Sequence, residues 1–307
     1  MTIPKQTYTI GQRICDDLRF LSKRYRKRLA LTNHEAAVRL HYQHICKQFL
    51  PLEEPSTMPE YIQWLKLYGC DKSWTTLSDK YLVREYVAKC GLSQHLNQLY
   101  AVCDQPEEIP WEDLPDTFAL KPNNGCHCNV LVHDKAHANK EAIIKQLRQS
   151  MATPFGLTTA EFHYLNIRPK ILVEKLLLQP DSPHGLIDYK IYCTSGEPRA
   201  ILICIPTQSK RPFKAILDTS WRVVPAYNTH DVNLENLPQR PECLDELLNA
   251  AKTLATPYSF IRIDYYIINN KPIFGEMTFT PAGGYRPYGS ALFMQDMGHF
   301  ISEAILP

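Results

Sequence analysis

Two stretches of the sequence carry side chains whose types and spacing could do chemistry. The first is "SFIRIDYYIINNKPIFGEMTFTPAGGY" near the C-terminus. Two alternating strands flank Asn-Asn-Lys, and asparagine tolerates the left-handed backbone of a tight turn. A three-residue loop of Asn269, Asn270 and Lys271 sets Asp264 opposite Glu276 and Arg262 opposite Thr278. It also sets Ile261, Ile263 and Ile267 against Phe279, Met277 and Ile273 on the other face. A two-residue loop would scramble that sorting, because a one-residue slip turns a strand over. Facing carboxylates repel unless a cation lies between them. A hard divalent ion such as Mg2+, which takes oxygen ligands and keeps positions for phosphate, suits the pair. Arg262 beside it suits a phosphate or a carboxylate held bidentately. The same residues also read as a solvent-facing hairpin with a surface ion pair worth about 0–1 kcal/mol.

The second stretch is "KPNNGCHCNVLV", residues 121–132. Lys121, a loop with Gly125 and an apolar strand read as a clamp for ATP phosphates, since glycine lets backbone N–H groups approach phosphate oxygens. Cys126, His127 and Cys128 read instead as zinc ligands. Tetrahedral zinc needs four ligands, and the nearest further candidates are His133 and His137, at a spacing unlike a finger or ribbon. A mobile phosphate lid is the main reading. A structural turn with buried thiols is the bland one, because a free cysteine often serves as a small apolar residue.

These groups need elements to hold them. "QRICDDLRFLSKRYRKRLAL" begins a helical region over about 10–50, with Ile14, Leu18, Leu21, Tyr25 and Leu29 near one face and Arg19, Lys23, Arg24, Arg26, Lys27 and Arg28 on the other. The basic face is either solvated or in peripheral contact with anionic lipid or polymer. Thr57 with Glu60 forms a capping box, with Pro59 in the first turn of a helix. A second helix runs over 75–91 to a cap at Gly91. The period then becomes alternating: "FALKP", "NVLVHD", "ILVEKLLL", "IDYKIYC", "RAILICI" and "SFIRIDYYII" read as strands, with helices at about 138–150 and 242–255. Runs of hairpin-linked strands with grouped helices indicate α+β layers.

The 307 residues carry a net charge of +2, which gives no global field for nucleic acid. Ten cysteines without a repeating spacing fit a reducing compartment. No apolar run approaches membrane length, and the N-terminus lacks a signal-peptide layout, so the expectation is a cytoplasmic, globular protein. No Gly-x-Gly-x-x-Gly, Gly-x-Ser-x-Gly or Walker lysine motif is present. "TPAGGYRPYG" suits a loop close to substrate, through Gly283, Gly284 and Arg286, or an ordinary surface turn.

"RIDYYIINNKPIFGEMTFTPAGG" resembles the closing strands of ATP-grasp enzymes, and more closely the teichuronopeptide-biosynthesis-type (TupA-like) ATP-grasp family. "EYIQWLKLYGCDKSWTTLSDKYLVREYV", "DTFALKPNNG", "ILVEKLL" and "DYKIYCTSGEPRAIL" look like its other blocks, in order, over about residues 58–290. The resemblance implies an ATP-grasp fold: a helical segment (1–57), a helical lead-in (58–115), a lid (116–178) and a C-terminal subdomain (179–307). It implies ATP and Mg2+ as cofactors. Lys80 and Lys121 would contact phosphates, with the Gly125, Cys126, His127 loop as lid. Glu174, Lys175, Leu176 and Leu177 would form a hinge strand beside adenine. Asp188 and Lys190 would face ribose and phosphates, Arg262 the transferred phosphate, and Asp264 and Glu276 the metal. The chain departs from the family in having Thr278 where Asn is commonest, a weaker ligand, and in its glycine-poor phosphate loop. The implied reaction joins a carboxylate to an amine through an acyl phosphate, on a cell-surface glycan or peptidic polymer. A phosphotransferase and a non-catalytic assembly partner are the alternatives.

Overall fold

The computed structural model describes residues 23–126, 128–179, 182, 184–207, 211–285 and 288–305. The expectations for His127, for Arg286 and for the basic face from Arg19 to Lys27 therefore lie outside the described side chains. The N-terminal helical region is two helices, α1 (Lys23–Thr32) and α2 (His34–Cys46). They break at Asn33, whose extended backbone lets its side chain accept the Ala36 N–H at 2.9 Å. Helix α3 (Met58–Trp64) continues into a π turn over Leu65–Gly69. The Glu60 carboxylate accepts the Thr57 and Ser56 N–H groups at its start. No described helix is long and apolar enough to cross a membrane.

The helix expected over 75–91 is also two pieces, α4 (Lys72–Ser78) and α5 (Val83–Lys89). The break is at Asp79, a buried carboxylate that accepts the Tyr81 and Leu82 N–H groups at 2.8 and 3.3 Å. Aspartate competes for backbone donors in this way and starts helices better than it continues them. The break leaves Lys80 in the turn, free of helical spacing. Gly91, at φ +76°, ends α5 as expected.

A four-stranded antiparallel sheet has the order β1-β4-β2-β3, from Leu99–Cys103, Phe118–Pro122, Val130–Val132 and Ile171–Lys175 numbered along the chain. Helix α6 (Lys140–Met151) sends Leu147 into a core of Phe118, Leu120, Ile171 and Val173. The short helix α7 (Phe155–Thr159) follows. Strand periodicity puts Ala119 and Lys121, with Leu172 and Glu174, on the opposite face.

A five-stranded antiparallel sheet follows, in the order β7-β6-β5-β8-β9. Its strands are β5 (Asp188–Thr194), β6 (Glu197–Ile205), β7 (Phe213–Leu217), β8 (Ile261–Ile268) and β9 (Lys271–Thr278). Strands β1 and β7 are absent from the sequence expectation: each is five residues long and lacks a clean alternation of polar and apolar types. One face of this sheet, with Ile191, Ile201, Ile203, Ile261, Ile263 and Tyr265, is buried under α8 (Leu244–Ala255). Leu244, Leu247, Ala251 and Leu254 make the buried stripe of α8 at helical spacing. Each fully buried leucine there contributes about 1.5–3 kcal/mol relative to exposure. The other face is the floor of a cleft.

The last helix, α9 (Ala291–Ile305), crosses the start of α3 at Gly298. A Cβ on Gly298 would lie 2.3 Å from the Ser56 carbonyl oxygen and 2.8 Å from the Thr57 Cα. Helix propensity alone favours Gly298→Ala by about 1 kcal/mol. The opposing contact is with backbone, which cannot rotate away, so the clash outweighs propensity. Gly298→Ala is expected to lower the thermal midpoint in a melting experiment; a raised midpoint would contradict this crossing.

Candidate active site

The acidic hairpin is built differently from expectation, with the same outcome at the acids. Ile268 pairs with Lys271, so the loop is the two residues Asn269 and Asn270, both left-handed at φ 50° and 55°. This is the turn that matches strand twist. The expected three-residue loop is thus corrected. Ile273 lies opposite Tyr266 on the cleft face rather than opposite Ile267. A bulge between Asp264 and Tyr265 then absorbs one extra residue, Gly275. Beyond it Asp264 pairs with Glu276 and Arg262 with Thr278. A Cβ on Gly275 would stand 3.0 Å from the Asp264 carbonyl oxygen, which is why the bulge residue has no side chain.

The cation between the facing acids is Arg262 itself. Its Nε donates to Asp264 Oδ1 at 2.6 Å and its Nη2 to Asp264 Oδ2 at 2.7 Å. The same Nη2 reaches Glu276 Oε1 and the Thr278 hydroxyl, both at 3.2 Å. From β5, Lys190 Nζ lies 2.5 Å from Asp264 Oδ2 and 2.5 Å from Asp188 Oδ2. Asp264 is 3% exposed. Burial pushes its carboxyl up, but Arg262 and then Lys190 outweigh that and hold it below the usual range. Asp188 differs. Burial first, then the Asp264 charge, raises it to about 6 against the pull of Lys190. Its Oδ1 has no hydrogen-bond partner among the described residues.

Above this floor, the small sheet and its loops form a roof. Asn123 and Asn124 pin the Lys121–Gly125 loop: Asn123 bridges Arg168 and Lys170, and Asn124 donates to the Met151 carbonyl. Lys80 Nζ donates to the Gly125 carbonyl at 2.5 Å. Lys121 Nζ lies 2.7 Å from Glu174 Oε2, and Arg84 lies 3.2 Å from Glu174 Oε1. Asn97 also donates to Glu174. Floor and roof enclose a cleft of about 550 Å³.

Of the expected residues, Gly125, Cys126, Lys190, Arg262, Glu276, Thr278 and Gly283 line this cleft. Asp188 and Asp264 sit beneath it, paired to Lys190. Lys80, Lys121 and Glu174 brace the roof. After Glu174, Lys175 is exposed, Leu176 buried and Leu177 half-buried. Gly284 packs on α3, where a Cβ would meet Gln63 Nε2 at 2.4 Å. Cys128 is half-buried, and His137 is bound to Asp134 at 2.8 Å rather than turned to Cys126. Among the described residues no three His, Cys, Asp or Glu side chains are grouped for a metal.

Several lining residues carry no expectation from sequence: Glu161, Tyr164, Lys214, Thr280 and Tyr288. A buried polar set holds the loop over Thr280–Tyr285. Gln63 Nε2 donates to the Gly283 and Gly284 carbonyls at 3.1 and 2.8 Å. Lys66 Nζ donates to the Gly283 carbonyl at 2.7 Å and to Gln63 Oε1 at 2.9 Å. The available signal was two polar residues three apart in the apolar helix "YIQWLKLYG". Nothing local marks Glu161.

The sequence matches the TupA-like ATPgrasp family over residues 60–301. The chain belongs to this family. Its fold is the α+β ATP-grasp fold. No curated protein matches. Solved structures that it resembles include D-alanine–D-alanine ligase of Bacillus anthracis in complex with ATP, at 14% identity and TM-score 0.46 over 75% of this chain and 66% of that one. An L-amino acid ligase of Bacillus licheniformis matches at 14% identity and TM-score 0.46, over 90% and 61% of the two chains. The biotin carboxylase of Campylobacter jejuni matches at 11% identity and TM-score 0.44, over 80% and 47%. This ATP-grasp chain thus spans about two-thirds or less of the length of these structures.

Two outcomes test the geometry. Asp188 titrates higher folded than unfolded, so the unfolded chain binds fewer protons between its ordinary value and about 6. Stability therefore falls as pH rises through that window. Asp188→Asn is expected to raise the thermal midpoint at pH ~7.5 by about 2–4 °C, the shift that roughly 1 kcal/mol produces at this size, and to raise it by less at pH ~4.5, where only part of the window has been crossed. A lowered midpoint at the higher pH contradicts the charge balance described. Glu276, whose side chain is 38% exposed, can be neutralised without stranding a buried partner. Glu276→Gln is expected to weaken Mg2+-dependent ATP binding about tenfold or more, ~1.4 kcal/mol, in titrations with and without the metal. Equal affinity for both proteins would remove Glu276 from the metal site.

Proposed function

We propose that this ATP-grasp protein is an ATP-dependent carboxylate–amine ligase. The observation that carries the reading is the convergence of Asp264, Glu276, Thr278 and Arg262 on the cleft floor, facing the Gly125 loop. The donor set fits a hard divalent ion: two carboxylates and a hydroxyl already gather around one cationic group, the Arg262 guanidinium. Asp264, Glu276 and Thr278 would hold Mg2+, which when bound neutralises the terminal phosphates of ATP.

The chain's own residues supply the rest. Lys80 and Lys121 bind phosphate oxygens from the roof, and the stretch Glu174–Leu177 borders adenine. Asp188 orients Lys190. Lys190 and Arg262 stabilise charge while the γ-phosphoryl group moves to a substrate carboxylate. An acyl phosphate results. The roof excludes water from it. An amine then attacks the acyl carbon, forming the amide and releasing phosphate. Family kinship supports a cell-surface glycan or peptidic polymer as acceptor and an amino acid as the joining partner, with the reaction in the cytoplasm where ATP is available.

The test is an ADP-release screen of amino acids against carboxylate-bearing glycan and peptide acceptors, with hydroxylamine added to trap acyl phosphate as hydroxamate. ADP release with an amide and free phosphate, and hydroxamate in the trap, is expected. A stable phosphorylated product would replace the ligase with a phosphotransferase. Failure of the wild type to bind ATP would leave a non-catalytic partner.

A further inference from the structure

One buried acid in the cleft has no part in nucleotide or metal binding. Glu161 follows α7, is 4% exposed, and still lines the cleft beside Thr280 and Gly283. Its Oε1 accepts the Thr280 hydroxyl. Its Oε2 points to the Gly283 side, 3.6 Å from where a Cβ on that glycine would stand. No ion pair reaches it among the described residues. The nearest ammonium, Lys66, spends its donors on Gln63 Oε1 and on the carbonyls of Gly283 and Thr159. A buried carboxylate without a contacting cation costs several kcal/mol, more than the hydroxyl bonds of Thr280 and Thr159 return. Burial accordingly pushes Glu161 above the usual carboxylate range, against the more distant pull of Lys66. Burial also lowers Lys66 to about 7, so its compensation is weak at neutral pH. The glycine opposite leaves room, and any side chain there would also collide with Tyr285 at 2.9 Å. A small cationic group entering beside Gly283 would satisfy the acid that the protein leaves under-compensated.

We propose that Glu161 receives the attacking amine, an inference that rests on the ligase reading. An amine substrate arrives as an ammonium, which has no lone pair to attack with. Glu161 binds it beside Gly283 and accepts one N–H proton, becoming a neutral carboxylic acid and leaving a free amine. The nitrogen lone pair then forms the C–N bond as the acyl C–O bond to phosphate breaks. The nitrogen's second proton leaves with the departing phosphate oxygen, and Glu161 later returns its proton to solvent. The substrate class is therefore a primary amine, such as the α-amino group of an amino acid, delivered between Glu161 and the Gly283 backbone.

Hydroxylamine separates the two half-reactions, because it is already unprotonated at neutral pH and needs no base. With the carboxylate that supports ADP release in the screen, Glu161→Gln is expected to keep hydroxamate formation within about twofold. Its amide formation with free amino acids should fall about 10²-fold or more, the usual contribution of a general base. If both products fall together while ATP still binds, or if neither falls, the assignment is overturned. If Glu161→Gln does not fold, Glu161→Asp, which draws the charge back by one carbon, is read in the same way. An amide-to-hydroxamate ratio unchanged from wild type then overturns it. Absence of hydroxamate with the wild type is a different result: it removes the ligase reading itself, and this assignment with it.

Discussion

The cleft depends on one balance of buried charge. Lys190 and Arg262 face Asp188, Asp264 and Glu276 across three neighbouring strands, two cations against three carboxylates. Removing Asp264, the one acid bonded to both cations, costs about 3–5 kcal/mol, because those charges are then stranded away from water. Asp264 stays ionised only because it touches both cations. Burial first, and then the charge of Asp264, makes Asp188 titrate high, while the two cations hold Asp264 low. A divalent ion added to this set reverses the surplus. Mg2+ held there as proposed would meet the longer contacts of Arg262, at 3.2 Å to Glu276 and Thr278, before the shorter ones, at 2.6 and 2.7 Å to Asp264.

The roof shows the same economy. Lys121 rests on Glu174, and Lys80 on the Gly125 carbonyl, so each cation proposed to meet phosphate has an internal partner. The phosphate loop has one glycine, yet Asn123 and Asn124 hold it by side-chain bonds to Arg168, Lys170 and Met151. The asparagines thereby do part of the positioning that a glycine-rich loop leaves to backbone freedom.

Much of this was legible in the chain, for physical reasons that differ by element. The acids could be placed together because apolar and polar residues alternate over 261–264 on one strand and 276–280 on the next. The loop length was read wrongly and the pairing rightly. A two-residue turn followed by a one-residue bulge has the parity of a three-residue turn, so face sorting near the acids is identical for both. Only Gly275 hinted at the bulge, and one glycine in a strand is weak evidence. Asp79 and Asn33 split helices that periodicity had joined, since periodicity reports faces and says little about caps. Glu161, Lys66 and Gln63 stayed hidden because their meaning lies in contacts 93 to 221 residues away along the chain.

Those hidden residues change what the cleft is able to do. A floor with only the Asp264–Glu276 set would serve the metal-bound nucleotide proposed for it, but leaves nothing to select a second substrate. The loop over Thr280–Tyr285 adds that element, since three successive residues, Ala282, Gly283 and Gly284, are left-handed and each is strained for any larger side chain. Such a conformation persists only where neighbours over-determine it. Here the neighbours are Gln63 and Lys66, which fasten the Gly283 and Gly284 carbonyls from below. With those carbonyls turned down into α3 and its π turn, the Gly283 side opposite Glu161 stays clear of both side chain and carbonyl. The buried lysine therefore fixes the glycine loop by hydrogen bonds, and with its donors spent there it forms no ion pair with Glu161 among the described residues.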